Sequence, residues 1–159
     1  MKIILLDGLA FAQPKYKRPA NFALSALRML NVETDAIAIN KHLLRMGQQY
    51  FNHPTPDGYS DMSEMWQGNL MPRWQFAFDL IRNEIKNTKH DLRNLLDVTS
   101  TGSLQDDIDS ISSLLFGSPI ERLTRDLLID SVSSAGANTD EALQIIAGSL
   151  IASPAFQWR

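Results

Sequence analysis

The chain has 159 residues, 44% of them hydrophobic, no cysteine and a formal net charge of −3. That length suffices for one domain with a core large enough to fold without staples, and the absence of thiols excludes disulfides, thiolate nucleophiles and zinc–thiolate sites while leaving the redox compartment open. The slight acidity argues against a general nucleic-acid binder, and no apolar run approaches the roughly 20 residues of a membrane-spanning helix.

The chain begins MKIILLDGLAFA, where Asp7 and Gly8 cut the apolar run to residues 3–6. An export signal needs roughly 7 to 15 apolar residues, so none is read here, and residues 3–6 are the single candidate strand. Residues 1–59 carry seven Lys/Arg against four Asp/Glu. The excess gathers at Lys15, Lys17 and Arg18, which read as a solvated linker before the first helix.

Between the loops the apolar spacing is helical nearly everywhere. Pro19 suits the first turn of a helix over 19–30 with an inner face of Phe22, Ala23, Ala26, Leu27 and Leu30, closed by Asn31. Thr34 can cap a second helix that buries Ala36, Ile39, Leu43 and Met46, with Gly47 at its end. A long central loop over 46–66 follows. Pro54 and Pro56 stiffen it, Asp57-Gly58 supplies a turn, and Tyr50, Phe51, Tyr59 and Trp66 flank it, some of them placed to pin it onto the core. Ser60 or Asp61 can cap a short helix through Trp66, Asp61 pairing with Glu64 as a capping box, and Gly68 stops it.

Asn69 then caps a helix over 70–86, with Pro72 tolerated in its first turn and a stripe of Leu70, Trp74, Ala77, Phe78, Ile81 and Ile85 marking the central helix of the core. Residues 90–96 suit a helical turn or two, and 97–103 read as a polar linker. Ser103, Ser118 and Asn138 each stand at a helix start, with Gly117 and Gly136 between them. The first of these helices buries Leu104, Ile108, Ile111 and Leu115 and turns Asp106, Asp107 and Asp109 outward. A capping box at Ser118 to Glu121, with Pro119 at the first helical position, opens the second, which buries Leu123, Leu127 and Leu128. The third, over 139–152, is apolar nearly all round through Ala142, Ile145, Ile146, Leu150 and Ile151, and Ser153-Pro154 ends it.

Little of this carries chemistry. His42, His53 and His90 show no spacing that puts two metal ligands on one helical face. Asp97, Thr99, Thr101 and Gly102 match positions of a calcium loop, but Ile108 stands where the bidentate Glu is required, so that site is rejected. No nucleophile elbow, phosphate loop or dinucleotide fingerprint is present, and no catalytic residue, metal or cofactor is assigned. The grouping with most functional promise is His53, Asp57, Tyr59, Trp66 and Arg73, which converge if the short helix folds back over the loop. Asp57 with Arg73 would then form an ion pair or a binding clamp, and the favoured structural reading of the same residues has Arg73 tying the loop down with Trp66 and Trp74 in the core.

Met46-Gly47-Gln48, the run from Pro54 to Tyr59, Trp66, Arg73 and Phe76 resemble the C-terminal part of the DUF1800 family, uncharacterised bacterial proteins. Lys17-Arg18-Pro19 with Phe22 and the stretch Ser25 to Leu30, and the ending from Ile151 to Arg159, resemble the flanking segments of that family. The chain departs from the pattern at Asn52-His53, where the family usually has a Gly-Trp pair. The resemblance implies a largely helical fold, a longer exported parent protein and a gene neighbourhood that includes the sulfatase-like DUF1501 family. It supplies no catalytic residues, since none are established for the family.

The expectation is therefore an all-α protein, an irregular multi-helix bundle of about six helices around a Pro/Gly-containing central loop. It is a single domain over 1–159, with an N-terminal extension over 1–18, helices around the loop over 19–86 and a three-helix part over 103–159. Its expected role is a non-catalytic interaction or assembly module of a larger exported protein, partnered by the rest of a parent chain or by a protein such as a DUF1501-type protein. The alternative is a hydrolase-like or carbohydrate-binding site around Pro54 to Tyr59.

Overall fold

The structure, a computed structural model, describes residues 14–96 and 103–158. The expected strand at 3–6 and most of the expected linker at 97–103 lie outside the described residues. Within them the chain is predominantly helical, with eight α-helices and a single two-stranded sheet. Six helices are long: α1 (Pro19–Met29), α2 (Ile37–Arg45), α3 (Leu70–Ile81), α5 (Leu104–Phe116), α6 (Arg122–Ala135) and α7 (Thr139–Ala152). Two are single turns, α4 (Leu92–Leu95) and α8 (Pro154–Gln157).

The ends of these helices follow local chemistry closely. Pro19 opens α1 behind an extended Arg18, a position where its missing N–H costs nothing. After α2, Gly47 adopts φ 85°, the Gly47 amide donates to Leu44 O at 2.9 Å and the Gln48 amide to Leu43 O at 2.8 Å. This pair of bonds is the Schellman closure that a left-handed residue makes possible. The buried Gln48 side chain then accepts from the Ala20 amide at 2.8 Å, joining the end of α2 to the start of α1. Ser103 caps α5, and Asn138 with Glu141 forms a full capping box on α7.

Helix α7 is the hub. Its most extensive partner is α3, and it also packs on α5, α6 and α8. Gly148 permits the α3 contact, since a Cβ there would stand 2.6 Å from the Phe78 ring. The rings of Phe22, Phe76, Phe156 and Phe116 run through the core edge to face, with neighbouring centroids 5.7 to 6.2 Å apart, linking α1, α3, α8 and α5. Such edge-on pairs align the positive ring edge with a negative face.

Several expectations are corrected. Thr34 does not cap α2. It lies in β1 (Glu33–Thr34), antiparallel to β2 (Thr88–Lys89), where the Thr34 and Thr88 hydroxyls meet at 2.8 Å. Helix α2 starts instead from Ala36 in the left-handed region at φ 63°, which leaves Ala36 exposed. Helix α3 ends at Ile81 rather than Lys86, because Asn83 turns left-handed (φ 55°) and the Glu84 amide closes onto Asp79 O at 2.9 Å. Asn tolerates that conformation better than most residues with a Cβ.

The buried face of α3 is Arg73, Phe76, Ala77, Leu80 and Ile81, with Leu70 and Trp74 outward, Trp74 being 41% exposed. Both stripes have helical spacing, and the burial of an arginine selects the second. Asp107 on α5 is buried, not outward. Helix α6 begins at Arg122 without a side-chain cap and buries Leu128 and Val132, leaving Leu123 70% and Leu127 59% exposed. The expected box at Ser60 or Asp61 is absent. A single 3-10 turn, Ser63–Met65, stands there, with the Ser60 hydroxyl accepting from the Met62 amide.

Candidate functional site

Between α2 and α3 the only regular element is that 3-10 turn, so the segment's shape comes from its side chains. At its base the Asn69 amide donates to Met46 O at 3.0 Å, beneath Gly47. The Tyr50 amide reaches back to the Asn40 side chain of α2 at 3.1 Å. Further out, the Tyr59 hydroxyl donates to Gln49 O at 2.7 Å and the Trp66 indole N–H to Ser60 O at 3.0 Å. Each aromatic supplies an apolar body for packing and one polar tip that holds a carbonyl. Trp66 is buried at 6% exposure and Tyr59 half-buried, whereas Tyr50 and Phe51 stand in solvent, Phe51 at φ 59°. Two of the four flanking aromatics thus pin the loop and two do not.

The His53 and Tyr59 rings meet edge to face at 4.6 Å, and Tyr59 and Trp66 lie 6.1 Å apart, a row of three rings. His53 Nδ1 lies 2.9 Å from Thr55 O. Gly58 at φ 76° turns the chain after Asp57, and its amide closes onto Thr55 O at 3.4 Å.

These residues surround a cavity of about 880 Å³, lined among others by Leu44, His53, Asp57, Tyr59, Asp61 and Trp66. Its lining includes two carboxylates and no lysine or arginine. Asp61 is held by Lys15 at 3.1 Å and Arg18 at 3.3 Å. Asp57 is exposed and has no ion-pair partner among the described residues. The same residues form no group of three or more metal-ligating side chains. The polar tips of Tyr59 and Trp66 are committed to backbone carbonyls, and the Thr55 hydroxyl lies 3.2 Å from His53 Nδ1, a ring nitrogen that also meets Thr55 O.

Arg73 is not part of it. The expected Asp57–Arg73 pair is absent, and Arg73 is fully buried on the inward face of α3. Its Nη1 donates to Gln157 Oε1 at 2.7 Å and its Nη2 to Lys17 O at 2.8 Å. The guanidinium lies over the rings of Tyr16 (4.7 Å) and Phe22 (5.2 Å). Burial pushes its pKa down, opposed by Tyr16. Around it the Lys17 amide donates to Gln157 O at 2.7 Å, Tyr16 pairs with Trp158 in a β-bridge, and Lys17 Nζ sits 3.8 Å above the Phe156 ring. This clasp joins the segment before α1 to the segment after α7 through one side chain of α3.

Sequence reasoning missed the rim of the cavity. Leu44 and Met65, both lining it, are more than half exposed, and Met62 and Met71 nearby in sequence are exposed as well. Hydrophobic period does not say which apolar residues a non-helical segment leaves in solvent.

The family model described as protein of unknown function (DUF1800) matches residues 1–158. Comparison with curated proteins and with solved structures yields no match.

Proposed function

We propose that this chain, which belongs to the DUF1800 family of proteins of unknown function, is a non-catalytic helical module that presents the loop between α2 and α3 as a protein-interaction surface. The observation that carries the reading is the coincidence of exposed apolar side chains, Leu44 and Met65, with a cavity whose aromatic polar tips are already spent on the backbone. Methionine and aromatic side chains grouped in solvent favour association, because their adaptable apolar surface gains by leaving water. The partner is the rest of a longer exported bacterial chain or a separate protein, and the family resemblance points to a DUF1501-type protein.

The test is calorimetric titration of the purified chain with a purified DUF1501-type protein. Micromolar binding that weakens at least tenfold in a Leu44→Ser/Met65→Ser variant of unchanged circular dichroism supports the reading. Binding indifferent to that variant moves the surface elsewhere, and no binding removes this partner. The second reading, a carbohydrate-binding or hydrolase-like site, draws on the row of His53, Tyr59 and Trp66 in the cavity. A glycan panel in a thermal-shift assay, run on the native chain and Asp57→Ala, decides it: a sugar that raises Tm only for the native chain favours that reading.

A further inference from the structure

The cavity carries one more piece of information, its charge. Its walls combine three aromatic rings in a row with the carboxylates of Asp57 and Asp61, and no lysine or arginine lines it. Asp61 is neutralised from outside by Lys15 and Arg18. Asp57 stands on the Gly58 turn without a counterion among the described residues and lines the same cavity as the rings of His53 and Tyr59. A carboxylate beside aromatic π-faces is complementary to an organic cation, which gains from both the charge and the ring quadrupoles. At Asp57 an anion meets repulsion, and a neutral apolar side chain leaves the carboxylate unpaired.

We infer that this cavity receives a cationic side chain, the ammonium of a lysine or the guanidinium of an arginine, carried by the protein that docks on the rim. The inference rests on the interaction reading above and assigns the charge of the partner residue that enters. Leu44 and Met65 meet apolar neighbours of that residue, while Asp57 and the three rings select its charge. Asp57 acts here as a specificity residue, with its exposed position leaving it unneeded for folding.

The experiment is a titration of the isotopically labelled chain with N-acetyl-lysine methylamide, N-acetyl-arginine methylamide and the neutral isostere N-acetyl-norleucine methylamide, followed by NMR at the Trp66 indole and the Gly58 amide. The expected result is saturable shifts for the two cations with Kd on the order of millimolar, the strength available to ligands of this size. The shifts weaken in 0.5 M salt and weaken at least fivefold in Asp57→Asn. Norleucine shifting the same signals as strongly, cations producing no shift, or Asp57→Asn binding them unchanged each overturns the inference. Putrescine serves as a free diamine, and if it binds more than tenfold tighter than the capped residues, the source of the cation is a small molecule and not a partner protein. The Leu44→Ser/Met65→Ser variant retains cation binding if only the rim reading fails, so the two failures are separable.

Discussion

The Arg73 clasp and the loop cavity are built from the same kinds of residue, aromatic rings set against charged groups, yet they differ in exposure. In the clasp, Tyr16, Lys17, Arg73, Phe156 and Gln157 are all buried, and the guanidinium is answered by two neutral oxygens and two ring faces. In the cavity, Asp57 and Asp61 are exposed and Tyr59 only half-buried. A buried charge without such neighbours costs several kcal/mol, so the groups that answer it are fixed by the fold and it cannot be spared for a ligand. An exposed carboxylate costs little to leave unpaired, which keeps it available. The difference teaches that a charge beside aromatics is tied into the architecture when dry and can stay unpaired when wet, as Asp57 does among the described residues.

The most direct way to break this comparison is Arg73→Ala, which leaves Gln157 Oε1 and Lys17 O without their donor and opens a hole against Tyr16 and Phe22. A loss of about 3–5 kcal/mol is expected in urea denaturation. Arg73→Met, which fills the space without charge, is expected to cost about 1–3 kcal/mol through the two stranded acceptors. If Arg73→Ala costs no more than a surface change, the clasp is not structural.

Gly148→Ala forces a methyl into the Phe78 ring and is expected to cost about 1–3 kcal/mol, with partial rescue by Phe78→Leu in the same background. Gly47→Ala, at φ 85° above Asn69, is expected to cost about 1–2 kcal/mol, and its circular dichroism should stay helical because only the loop base is strained. At the cavity, Asp57→Ala should change stability by less than about 0.5 kcal/mol. A larger loss would give Asp57 a structural part and erase the contrast.

The smallest expected effect is a pH dependence from His42, which lies against the Phe76 ring at 5.5 Å. Burial pushes its imidazole below the ordinary 6.5, with Asp79 opposing and Arg45 assisting. The unfolded chain then binds the proton more readily, so this stability is full above the usual imidazole range and falls as pH drops through it. Tm measured across that range should show a loss on acidification that His42→Phe removes.

Much of the architecture was legible beforehand. Helix termini at Pro19, Gly47, Ser103, Gly117, Asn138 and Gly136 follow from which residues lack an N–H to satisfy, tolerate a left-handed turn or offer a capping oxygen, and these properties belong to the residue itself. The turn at Asp57-Gly58 is legible in the same way, since Gly58 takes the positive φ that its residue type favours. Illegible were the face of α3, the short ladder between Thr34 and Thr88, and the place of Arg73. Each depends on a partner distant in the chain, 84 residues away for Gln157 and 54 for the two threonines.

From the sequence alone came the helical class and the helix ends at Gly47, Gly117 and Gly136, because turn chemistry and hydrophobic period act over a few residues. Tertiary structure alone decided which side of α3 turns inward and that Arg73 is buried in the clasp while Asp57 stays exposed. A charged side chain can be buried only where neutral acceptors and rings are brought to it, and only the complete packing of α1, α3, α7 and α8 does so.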